Sequence, residues 1–311
     1  MNNLKKIGLT ALAASLVTTS AFAGELTASG AASMGLKNTT GTADPATGKG
    51  FTMGNSVTLA GSGEMDNGLN VSLSFTLDQA DATPSPFDTH SVTISSDALG
   101  TLVMSGEGGS SAQSAMDTTA AGDIWNNGLG ITGPTAAVAG DNSLFYTLPA
   151  MADGVAITAS MSPGRAAQKT HTSFGLAYTG VEGLTVKYAV GDSGAPADEV
   201  ESTTMYASYA IGSFTVAVSN TEADNTNITT ANRELDSFQI AYTVTDDLSV
   251  TYGEETFDLS GNATNEEVEA FGISYTTGGM TITANSTEVT GAGNSATAKS
   301  DKWALGLSFA F

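Results

Sequence analysis

Two histidines, His90 and His171, are the side chains best able to move a proton near neutral pH. Ser91 follows His90, and Thr170 and Thr172 flank His171. A hydrolytic site needs such a hydroxyl aligned with the imidazole and a third group to orient it. In a chain this rich in serine and threonine such neighbours arise by chance, so the chain is read as a non-enzyme. There is no cysteine, which excludes disulfides, thiolate metal sites and a cysteine nucleophile. Carboxylates are what remains for a metal. Asp78, Asp81 and Asp88, or Asp192 and Asp198, carry the hard oxygens that calcium takes. None fits an EF-hand loop, so Ca²⁺ at acidic loops is the one cofactor considered. Gly61-Ser62-Gly63 opens no helical pattern and is a turn, not a phosphate cradle.

The elements around these residues alternate with period two. Neighbouring side chains of a strand point to opposite faces. In residues 235–245 Phe238, Ile240, Tyr242 and Val244 share one face, and Ser237, Gln239, Ala241 and Thr243 share the other. Phe174, Leu176 and Tyr178 in 172–179, and Phe271, Ile273 and Tyr275 in 268–277, repeat the pattern. Sixteen such runs can be laid end to end, from 26–36 through 89–96, 100–107 and 213–221 to 301–311. No second layer exists to cover the apolar face, so it must meet lipid. Mean hydropathy is +0.02, the neutral average that alternating membrane strands produce.

Connections between runs alternate strictly between short and long. Asp246-Asp247 and Gly278-Gly279 are short, whereas 37–50, 192–202 and 290–300 are long. Short turns on one side and longer loops on the other mark a transmembrane β-barrel. An even number of strands near sixteen brings the first beside the last and leaves an aqueous lumen. The fold expected is all-β: a transmembrane antiparallel β-barrel of about 16 strands, with short periplasmic turns and longer external loops.

Met1 to Lys6 is basic, Ile7 to Val17 is apolar and Ala21-Phe22-Ala23 is a small-residue cleavage site, so residues 1–23 are read as a signal peptide and 24–311 as the barrel. The chain carries 10 Lys+Arg against 32 Asp+Glu, a net charge of −22, which argues against a nucleic-acid partner. The acids are expected mostly between the alternating runs, as in Asp78-Gln79-Ala80-Asp81 and Glu222-Ala223-Asp224. Charge at the bilayer midplane is costly.

The last stretch closes the argument. Trp303, Leu305, Leu307, Phe309 and Phe311 line one face of 301–311, and the chain ends on Phe311. With the strand and loop pattern, this resembles the general bacterial outer-membrane porins, of the sixteen-stranded alphaproteobacterial type. The resemblance spans 24–311 and rests on architecture. It implies a trimer in the outer membrane of a Gram-negative bacterium that passes small hydrophilic solutes and ions by diffusion. It also implies a third external loop folded into the pore, with acids facing a basic wall.

The loop in that place is residues 108–140, by far the longest connection, carrying Asp117, Asp123 and Trp125. The expected arginine cluster is missing, since only Arg165 and Arg233 are present. Lys187, Lys302 and Gln239 fall on the inward parity and complete the lumen candidates, Lys187 being read chiefly as a lone solvated charge. The excess of acid suggests a cation preference. Ala28, Gly30 and Ala32 give the first run a small outer face, which suits packing against a neighbouring subunit. The alternatives are a solute-specific channel, with Phe145 and Tyr206 pointing inward, and a surface β-protein acting in adhesion.

Overall fold

The computed structural model describes residues 26–41, 47–78, 89–115, 141–164, 169–193, 199–225 and 232–311. Among them, sixteen strands form one closed antiparallel barrel in which each strand pairs with its neighbours in sequence. They are β1 Leu26–Gly41, β2 Gly48–Glu64, β3 Asn70–Asp78, β4 Thr89–Ser96, β5 Gly100–Glu107, β6 Ser143–Thr147, β7 Val155–Ser162 and β8 His171–Tyr178. The ring continues with β9 Leu184–Ser193, β10 Val200–Ile211, β11 Phe214–Asn225, β12 Arg233–Thr245, β13 Leu248–Leu259, β14 Glu266–Thr277, β15 Met280–Thr290 and β16 Lys299–Ala310. A short 3-10 turn, Ala292–Asn294, interrupts the last long connection. The expected signal segment lies outside the described residues.

Closure is made by β1 against β16, with Ala31 opposite Ala310 and Leu36 opposite Leu305. Beyond the last strand, Phe311 N–H donates to Gly30 O and Gly30 N–H to Phe311 O, at 2.9 and 2.7 Å. The chain end is therefore paired, and closure leaves no strand edge to the hydrocarbon.

Apolar side chains are on the outside. Phe174 and Leu176 of β8, Phe214, Val216 and Val218 of β11, and Phe271 and Ile273 of β14 are all exposed. Ser173, Ser219 and Ala270, one position away, are buried on the inner face. A water-soluble sheet protein would invert this arrangement.

One expectation is corrected. Many carboxylates lie on the strands, not between them. β11 runs through Glu222 and Asp224, and β12 through Glu234 and Asp236. Both strands continue past their last apolar residue because the neighbouring ladder still offers paired N–H and C=O groups. Those carboxylates take the outward parity and are exposed, above the apolar band, where they avoid the hydrocarbon.

Candidate functional site

The lumen wall is built by parity. Once the apolar residues of β7 to β12 face out, their small polar partners must face in. Ser160 on β7, Ser173 on β8, Ser202 and Thr204 on β10 and Thr221 on β11 form a band of hydroxyls on the inner face. Ser160 and Ser173 hydrogen-bond each other at 2.5 Å, and Thr221 Oγ1 donates to Thr204 Oγ1 at 3.2 Å.

The first residues of the long connection lie against that band. Ser111 to Ala115 form a compact turn, with Ala115 N–H donating to Ser111 O at 2.9 Å. Ser111 N–H donates to Ser114 Oγ at 2.8 Å, and Ser114 N–H donates back to Ser111 Oγ at 2.9 Å. Ala112 N–H donates to Ser160 Oγ at 3.0 Å and Gln113 N–H to Ser173 Oγ at 3.3 Å. The Gln113 side-chain amide donates to Ser202 Oγ, and to Thr204 Oγ1 at 3.2 Å. Ala112 and Gln113 are fully buried. The start of the connection, Ser111 to Ala115, thus lies on the inner face of the barrel, and residues 116–140 lie outside the described residues.

Nothing in the sequence pointed to this turn. Its partners stand 48, 60, 89 and 91 positions away. The one available signal was a glutamine in an otherwise small, uncharged run.

Of the expected loop residues, Asp117, Asp123 and Trp125 lie outside the described residues. Lys187 faces the lumen from β9, half-buried, with Nζ 4.8 Å from the centre of the Tyr206 ring on β10. An ammonium over an aromatic face is held by the ring's quadrupole. It is therefore not a lone solvated charge. Tyr206 is inward, as is Phe145, opposite Ser160. Lys302 is inward on β16 and buried. Gln239 takes the inner parity on β12, half-exposed between Ala217 and Gly253.

Ala28, Gly30 and Ala32 occupy the outer face of β1. The space beside Gly30 is taken by the Phe311 ring, which the Cβ of any larger residue would meet. The absent side chain at Gly30 therefore serves the chain's own terminus.

The histidines are paired with carboxylates. His90 Nδ1 lies 4.0 Å from Glu107, and buried His171 Nδ1 lies 3.6 Å from Asp192. Asp192 also accepts hydrogen bonds from Thr172 N–H and Oγ1, both at 2.8 Å. Among the described residues no three His, Cys, Asp or Glu side chains gather as metal ligands.

The sequence matches the family described as Gram-negative porin over residues 8–273. No curated protein matches it. The fold is similar to an anion-selective porin from Comamonas acidovorans, with a TM-score of 0.72 at 14% identity, covering 93% of this chain and 100% of that one. A loop-deletion mutant of OmpT, an outer membrane protein of Vibrio cholerae, matches with a TM-score of 0.72 at 15% identity, covering 93% and 99%. A triple mutant of the Rhodopseudomonas blastica porin matches with a TM-score of 0.68 at 14% identity, covering 92% and 100%. At these identities the likeness to solved structures is one of fold.

Proposed function

The chain belongs to the Gram-negative porin family, an outer-membrane barrel, and on that premise we propose that it is a passive diffusion channel for small hydrophilic solutes. The observation that carries this reading is the inner wall. Among the described residues a band of small hydroxyls runs along it from β7 to β11, and the first turn of the longest connection is bonded to that band. Such a band offers water many weak partners. Family and fold point to a channel and not an enzyme.

Any cation preference is proposed to be weak. The carboxylates of β9 to β13 that take the outward parity, among them Glu201, Glu222, Glu234 and Glu254, do not line the water path. A trimer with β1 and β2 in the subunit contact is supported by the most exposed large apolar residues of those strands, Phe51 at 90% and Met53 at 73%. Ala28 and Ala32 lie on the same outer face of β1, opposite Leu59 and Asn55. Calcium at the external acids is a further proposal. Of those acids only Asp78 and Asp192 are described.

The test is single-channel recording of the refolded protein in a planar bilayer, with the reversal potential read in a salt gradient. Discrete steps in groups of three, with a small cation-side reversal, are expected. Correct insertion without steps overturns the channel reading. Steps that one solute class alone blocks replace general diffusion with a solute-specific channel.

A further inference from the structure

We propose that Gln113 is the positioning residue that fixes the first turn of the long connection inside the pore. Its side chain lies in a trough that the barrel wall leaves open for it. The proposal rests on the channel reading above and names the contact that holds Ser111 to Ala115 against the lumen wall.

The trough follows from register. The Gln113 backbone is bonded to β8 through Ser173, while its side-chain amide is bonded to β10 through Ser202 and Thr204. The side chain must therefore cross β9. On β9, Gly191 stands between Ser173 and Ser202, and Ala189 stands between Gly175 and Thr204. These are the two inward residues of that strand at the crossing, and neither has a side chain beyond Cβ. Two positions along β9 on the same face, Lys187 carries a long side chain that covers Tyr206 instead. On β9 the wall is thus low where the glutamine passes, and Ala189 is fully buried there.

Glutamine also suits the acceptors. Ser202 and Thr204 are two apart on one strand, roughly 7 Å along it. A primary amide has two N–H groups and can serve both hydroxyls at once. Thr204 Oγ1 also accepts from Thr221, so the contact extends to β11. Gln113 is fully buried, so removing its amide takes a buried donor away from both hydroxyls.

The test compares wild type with Q113A, Q113N, A189L and S202A/T204V in planar bilayers and in solute-permeation assays on proteoliposomes. Q113N keeps the amide but shortens the reach by one carbon. A189L leaves the glutamine intact and fills the trough. Heat-modifiable migration on gels checks that each barrel has folded. All four variants are expected to show a several-fold rise in open-channel current noise and a higher size limit for neutral solutes. Q113A combined with S202A/T204V should be no worse than either alone, the non-additivity of groups acting in one contact. Folded variants with wild-type noise and size limit overturn the proposal while the channel reading stands. A wild-type protein that forms no channel overturns the channel reading itself. If Q113A fails to fold, A189L and S202A/T204V decide the matter in its place.

Discussion

At the scale of single residues, two glycines that look alike in sequence have opposite tolerance. A Cβ on Gly30 would meet the end of the Phe311 ring, a terminal side chain that is 79% exposed and free to turn away. A Cβ on Gly154 would meet the backbone of Gly180 in the next turn, which cannot turn away. Gly154 also sits at φ +72° and accepts a 2.7 Å hydrogen bond from Thr179 N–H through its carbonyl. A left-handed conformation costs an L-residue about 1–2 kcal/mol before any clash is counted. Gly154→Ala is therefore expected to lower stability by at least that amount, read from the urea midpoint of unfolding in detergent. Gly30→Ala is expected to cost less than about 1 kcal/mol, as for exposed positions with room to adjust. Equal midpoints for the two would mean that Phe311 is held as firmly as the turn backbone.

At the scale of elements, the outer face of β13 to β16 carries a row of like charges. Glu254 stands opposite Glu269, Glu269 opposite Glu288, and Glu288 opposite Asp301. All four are exposed. Directly opposed side chains lie about 5 Å apart at Cβ, and like charges there destabilise a sheet by about 0.2–1 kcal/mol per pair. Glu269→Gln relieves two such pairs. It should raise the unfolding midpoint at low ionic strength, and the gain should disappear near 1 M salt, where screening acts over about 3 Å. A gain that persists in high salt would assign the effect to something other than repulsion. These rows also explain what was legible in the sequence. All sixteen strands were readable in order because lipid imposes strict parity on the apolar residues, and that parity set Lys187, Gln239 and Lys302 inward. Strand ends were misjudged on the external side: β11 reaches Asn225 and not residue 221, and β12 begins at Arg233 and not residue 235. There the apolar pattern stops at the headgroups while the hydrogen-bond ladder continues. The Gln113 contact was not legible, because it depends on which small residue of β9 lies beneath it, a matter of register between strands.

At the scale of the whole molecule, a net charge of −22 does not by itself make a cation channel. What counts is the side of the wall on which the charge lies. On β9 to β16 the outward carboxylates are Asp192, Glu201, Glu222, Asp224, Glu234, Asp236, Glu254, Asp258, Glu267, Glu269, Glu288 and Asp301. On the inward parity of the same strands stand Glu255 and Glu266 against Lys187, Arg233 and Lys302, close to balance. A sheet with its side chains is about 10 Å thick. At physiological ionic strength the screening length is about 8 Å, and in 1 M salt about 3 Å. The outward charges are therefore screened from ions in the lumen, while an inward lysine is not. Neutralising Glu254, Glu269, Glu288 and Asp301 together should leave the reversal potential unchanged, although it removes four negative charges. Replacing Lys187 with methionine removes a single charge, yet it should move the reversal potential toward the cation side. Both variants are read in the same salt gradient as wild type. A shift with the fourfold variant and none with Lys187→Met would mean that the external face, and not the lumen wall, governs which ions enter.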